Sequence, residues 1–229
     1  MLSRHSLAVL AGCGLALAAA LASAEVPPSD GVSAPGLLTD AELYQLATCG
    51  APPGGACQAP ALRWDKRKLT VAVVMGDVQV APGFEDRVTQ ALVDALAEVN
   101  GVGAGISLRL TRSPNADIII RPTDLAEGTV LTETPGFSGA GIMGVGYMTV
   151  WSDPSNTILE AVILISTGIT DADLPSVMLE EVTQSLGFLY DIESPAYEGV
   201  SILSQTSNAT VTLEGQDAAL LHLHYPNGN

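Results

Sequence analysis

LEEVTQSLGF, residues 179–188, is the stretch on which the reading of this chain turns. Its frame is Glu180-Glu181-x-x-Gln184-x-x-Gly187. Positions 180 and 184 lie one helical turn apart, so their side chains share a face. Glu181 stands one residue round and can approach the same side. Val177, Met178, Val182, Leu186 and Phe188 supply the apolar side, and Gly187 permits a sharp turn out of the helix. Glu and Gln are good helix formers that usually decorate solvated faces. What this helix does therefore depends on its neighbours.

Working outward, LTVAVVMG (69–76) is β-branched and apolar and predicts a buried strand. GFEDRVTQALVDALAEVNGV (83–102) predicts a helix with Val88, Ala91, Leu92, Leu96 and Val99 on one face, ended by Gly101. ISLRLT (106–111) alternates as a half-buried strand does. ADIIIRP (116–122) reads as a central strand stopped by Pro122. GIMGVGYMTVWSD (141–153) is strand pattern broken by glycines, as in an edge strand or a loop over a cleft, and ILEAVILIST (158–167) is another buried strand. The helix of interest covers 174–188, with Asp171 and Asp173 placed to cap it. Residues 189–212 read as irregular and 213–226 as a final helix. The order predicts an α+β fold, a mixed sheet with helices, over residues 64–229. GAGIMGVG (139–146) is no phosphate loop, since it lacks the Gly-Lys-Ser/Thr ending and any basic residue.

Residues 1–24 read as a signal peptide: Arg4, an apolar Leu/Ala run, then Ala22-Ser23-Ala24. Cleavage after Ala24 leaves 205 residues. An alternative is the lipoprotein box Leu10-Ala11-Gly12-Cys13, although the apolar run before Cys13 is short and continues beyond it. Residues 25–63 read as a linker with a short helix. EVPPSDGVSAPG (25–36) is the flexible part, and the helix at 37–49 is capped by Thr39 or Asp40. Cys49 and Cys57 then flank a Pro/Gly loop. In an exported chain they most simply form one disulfide, and with no histidine nearby a metal site is the weaker reading. The setting implied is a bacterial periplasm or the cell exterior, and no later segment is apolar enough to span a membrane. Arg4 is the only charged residue of the leader, so its loss takes the basic count from 9 to 8 against 25 acidic residues and the formal net charge from −16 to −17. Such acidity opposes nucleic-acid and anionic-membrane binding and suits cationic partners or divalent cations.

The spacing at 180–187 is that of the zinc-peptidase helix His-Glu-x-x-His-x-x-Gly with both histidines replaced. From Trp64 to Pro226 the chain resembles the zincin fold in its metzincin-like branch. ADIIIRP resembles the Ala-Asp-Ile-x-Ile strand of matrixin-type peptidases, and LPSVMLEEVTQSLGFLYD (174–191) resembles the active-site helix. SIL (201–203) stands where a Met-turn would be, without its Met, and LEGQDAALLHLHYP (213–226) resembles the closing helix. The chain is also similar to an exported bacterial family of unknown function with Glu-Glu-x-x-Gln-x-Leu-Gly-Leu, an Asp, a Ser-Ile-Phe and a late Asp-x-x-Leu-Leu helix. Here those positions are Glu180, Glu181, Gln184, Leu186, Gly187, Asp191, Ser201, Ile202 and Asp217, with departures at Phe188, Tyr190 and Leu203 and without the family's Tyr-Asp-Pro ending.

The resemblance implies Glu181 at the general-base position, and Glu180, Gln184 and Asp191 as candidate metal ligands with Tyr190 at the third-ligand position. A hydrolytic zinc needs three protein ligands and an open position, and an amide oxygen is a poor ligand for it. An oxygen set suits Ca²⁺, Mg²⁺ or Mn²⁺ better. Without a metal to lower the pKa of water from about 15.7 to about 7, one carboxylate is a weak hydrolase. His222 and His224 diverge on a helix, so the expectation is one exposed and one packed. Two classes of function follow. One is a peptidase-derived protein with a degenerate or atypical divalent-metal site, inactive or weakly active. The other is a noncatalytic envelope module that binds a peptide or protein in the former substrate groove.

Overall fold

The computed structural model describes residues 30–131 and 141–228. The leader, Cys13, residues 25–29 and positions 139–140 of the glycine stretch lie outside the described residues. In chain order the elements are β1 (Gly31–Ser33), α1 (Asp40–Cys49), β2 (Lys68–Val73), α2 (Phe84–Gly101), β3 (Ser107–Leu110), β4 (Ile118–Thr123), β5 (Val130–Leu131), β6 (Gly141–Ile142), β7 (Gly146–Ser152), β8 (Ile158–Ser166), α3 (Leu174–Gln184), β9 (Asp191–Glu193) and α4 (Gly215–His224).

Five strands form one mixed sheet in the order β3-β2-β4-β8-β7. The first four run parallel, and β7 pairs antiparallel with β8 at the edge. The Ile run of β4 is buried on both faces, as expected for parallel strands covered on both sides. Ile118 and Ile120 join the large core under the helices, whereas Ile119 packs with Ala72, Val162, Leu164 and Met143 on the other face. There the small β5–β6 pair contributes Leu131. α2 packs on α3 and ends against β3, where Asn100 bonds both backbone groups of Leu108. Asp117 accepts bonds from the amide and hydroxyl of Thr70 and from Lys66, tying the start of β4 to β2.

Several expectations are corrected. Pro122 does not stop β4: it lies within the strand, in register with Ile165. The carbonyl of Ile120 faces β2, so Pro122 faces that side too, where β2 has already ended at Val73. Its missing N–H removes no ladder bond there. The stretch 25–63 is not a linker from Asp30 onward. Gly31–Ser33 pairs parallel with β9, and Val32, Leu43 and Leu46 are buried in the same core as α2 and α3. The boundary expected at residue 64 has no counterpart in the packing. Thr39, not Asp40, caps α1, in a reciprocal capping box with Glu42. Asp173 stands at the N-cap of α3 but its carboxylate accepts from Thr170 instead of making a capping bond, and Asp171 pairs with Arg87. Cys49 and Cys57 are joined in a disulfide with Cα atoms 5.0 Å apart. Among the described residues no helix is long and apolar enough to cross a membrane.

Candidate functional site

α3 is held at its C-terminal end by a knot of buried polar bonds. The helix tightens there, with the amides of Leu186 and Gly187 bonding back to Thr183 and Gln184. Trp64, 1% exposed, donates its indole N–H to the Ser185 carbonyl at 2.9 Å. The Tyr225 hydroxyl accepts from the Trp64 amide and donates to the Leu186 carbonyl. His224 is packed and His222 exposed, as expected. A carbonyl can only accept, so His224 Nε2 donates to Leu62, and its Nδ1 accepts from the Tyr44 hydroxyl. That is the neutral ring, in keeping with burial driving its pKa down to about 4. The SIL turn and the closing helix are likewise joined. Asp217 on α4 accepts from the Ser201 hydroxyl at 2.6 Å and from the Ile202 amide at 2.8 Å. These motif positions build structure and lie away from the cleft lining.

One side of α3 borders a cavity of about 520 Å³ beside the edge strand β7. Four carboxylates line it: Glu180 and Glu181 from α3, Asp191 from the start of β9, and Asp30 just ahead of β1. The β1–β9 pairing brings Asp30 in, with its carbonyl accepting from the Asp191 amide. The Gln184 side chain donates to Asp191 Oδ1 at 2.7 Å. Glu181 is 7% exposed and lies against Gly146 of β7, where an added Cβ would collide with its carboxyl group and with Val177. Its Oε2 is buried without a hydrogen-bond partner. No Lys, Arg or His side chain lines the cavity among the described residues.

Burial, and then the crowding of like charges, raises the pKa of three of these groups. Burial raises Glu181 well above the ordinary carboxylate range, and Asp191 and Asp30 raise it further. Glu180 is raised well above that range by burial, then by Asp191, Glu181 and Asp30. Asp191 is pushed up to about 7 by burial and Asp30, against the opposing bond from Gln184. A raised folded pKa means that the folded chain keeps a proton the unfolded chain has lost, so stability falls as pH rises through that window. For Asp191 the window runs from about 4 to about 7. His224, with its lowered pKa, works oppositely between about 4 and 6.5. Replacing Glu181 with glutamine removes one such burden. The variant is expected to be more stable than the parent at pH 8, with the gap narrowing as pH falls toward pH 5. Melting curves across that range check it; parallel pH profiles would refute the assignment.

The structure places Glu180, Glu181, Gln184 and Asp191 around one cavity. It does not place Tyr190 there: its ring packs against Gly50 beyond the end of α1, and it is absent from the cavity lining. Asp30 and Gly146 were not among the predicted site residues. Nothing local marks Asp30, whereas the glycine-broken pattern of 141–153 pointed to an edge strand or a loop over a cleft. A zinc ion does not fit this donor set. The cleft holds no imidazole, and the Gln184 amide is engaged with Asp191. Among the described residues no group of three or more His, Cys, Asp or Glu side chains is placed to hold a metal ion.

These features define a mixed α/β protein with a histidine-free, carboxylate-lined cleft between its third long helix and its edge strand. No family model matches the chain, and no curated protein matches it. Among solved structures it is similar to the crystal structure of myroilysin, with a TM-score of 0.43 and 14% identity, over 72% of this chain and 86% of that one. A likeness at that score carries no functional argument.

Proposed function

We propose that this is an exported protein of zincin-like fold in which the metallopeptidase site has degenerated, leaving it inactive or weakly active as a peptidase. Its former substrate groove binds a peptide or protein segment without cleaving it. The order of elements supports the fold: a strand, a long helix and further strands precede the cleft helix, and a glycine turn ends it. The observation that carries the functional reading is the Gln184–Asp191 hydrogen bond. It turns two of the candidate ligand positions toward each other, with Gln184 Nε2 and Asp191 Oδ1 paired rather than turned to an ion. Glu181 keeps the general-base position, with burial and then the neighbouring carboxylates of Asp191 and Asp30 raising its pKa. The metal-bearing alternative is favoured by one feature, the unpartnered Oε2 of Glu181, which a hard divalent cation would satisfy.

Metal content of the purified mature protein, measured by mass spectrometry beside a Glu180→Ala/Gln184→Ala variant, separates the two. The expected result is no stoichiometric metal in either, no saturable uptake of Zn²⁺, Mn²⁺ or Ca²⁺, and no cleavage of an unfolded protein substrate. Stoichiometric metal that the variant loses would overturn this reading in favour of an atypical metallosite.

A further inference from the structure

Taking the groove as a peptide-binding site, we infer that it selects a cationic side chain, arginine above lysine, carried by the bound segment. The argument rests on arrangement. The four carboxylates come from three separate places in the chain: Asp30, the Glu180–Glu181 pair and Asp191. They share one cavity with no basic side chain lining it, yet no three of them are placed to grip one small ion. A dispersed set of acceptors suits a group that is itself extended. The guanidinium is a planar fork with five donors, whereas the ammonium of lysine is a compact point charge.

Glu181 points to such a ligand independently of the cluster. It is 93% buried by its 7% exposure, it lines the cavity, and its Oε2 has no partner. A buried carboxylate oxygen without a donor is costly, and a charge-assisted bond from a ligand relieves that cost. Gly146 presses the other side of this carboxyl group, leaving no room for a side chain at that position of β7. Apolar walls complete the match: Leu62, Met148, Val150, Val177 and Leu189 line the same cavity. They can cover the methylene stem of an arginine while its head meets the carboxylates. The volume of about 520 Å³ falls within the range of small-ligand pockets and holds one long side chain with adjoining backbone.

The test uses the full mature chain and three fluorescent alanine-rich hexapeptides, with arginine, lysine or citrulline at one central position. Citrulline keeps the shape of arginine and loses its charge. Binding is read by anisotropy at low ionic strength for the parent, Glu181→Gln, and Asp94→Asn. Asp94 is exposed on α2, and that variant changes net charge equally without touching the cleft. The expected order is arginine, then lysine, then citrulline, with at least tenfold between the first and last. Glu181→Gln should lose at least tenfold for the arginine peptide, and Asp94→Asn should lose nothing. A melting curve shows whether Glu181→Gln is folded, and Glu180→Gln serves as the second cleft variant. Saturable binding with equal affinity for all three peptides would overturn the cation inference and leave the groove reading intact. Equal losses in the cleft variants and Asp94→Asn would reduce the effect to general charge and overturn it as well. No binding of any peptide would overturn both.

Discussion

Alanine at Gly187 is expected to destabilise the protein by about 3–5 kcal/mol, among the largest effects of any single methyl group in the chain. Two costs coincide. Gly187 has φ of +112°, in a region that side chains avoid. Its missing Cβ is also where other atoms sit: an added carbon would run into the Leu62 carbonyl and lie 2.8 Å from His224 Nε2. These are the partners of one half-buried hydrogen bond, so relaxation would have to break it. Chemical denaturation of Gly187→Ala should show the midpoint lowered strongly, with a melting temperature down by about 10 °C or more. Because the turn sets the path from Gln184 to Asp191, the cleft should open as well. A near-parental melting temperature would refute the account of this turn.

The second large effect is expected at Asp217. Asp217→Ala should cost about 3 kcal/mol, since it strips a buried charged acceptor from the Ser201 hydroxyl and the Ile202 amide and leaves that amide unpaired. Asp217→Asn keeps one acceptor and should cost less. The carboxyl is 3% exposed, and burial lifts its pKa to about 6 against both bonds. A folded pKa raised above the unfolded value makes this group's contribution decline as pH rises from about 4 to about 6. The alanine variant should lose that part of the parent's pH dependence. Urea denaturation at pH 5 and pH 8 reads both quantities. An unchanged midpoint at both would mean that the clamp holds nothing.

Peptide hydrolysis is not what these two variants report on, and that follows from where the motif residues went. Ser201, Ile202 and Asp217 are far apart in sequence from Glu180, yet they support the loop and helix that close around the end of α3. The cleft itself draws on fewer positions of the motif than the resemblance implied. Tyr190 turns to Gly50, while Gln184 and Asp191 turn to each other.

Much of the fold was legible locally. Periodicities of two and 3.6 residues located the strands of the main sheet and all four helices near their observed places, because burial on one face or two leaves a repeat in the sequence. The two acidic neighbours and the glutamine-bearing turn of α3 were legible for the same reason, as one helix with a glycine stop. Pairings between distant segments leave no such repeat. β1 meets β9 across a separation of 160 residues, as between Ser33 and Glu193, and this contact alone delivers Asp30 to the cleft. By itself, then, the sequence determined the strands of the main sheet, the four helices, their order and the Glu180–Glu181–Gln184 face, and it pointed to Cys49 and Cys57 as disulfide partners. Only the tertiary structure decided that the supposed linker joins the core, that Pro122 lies inside its strand, and that Glu181 ends buried with an unpaired oxygen. Those outcomes depend on which surfaces exclude water together, a property of the packed chain that local spacing does not carry.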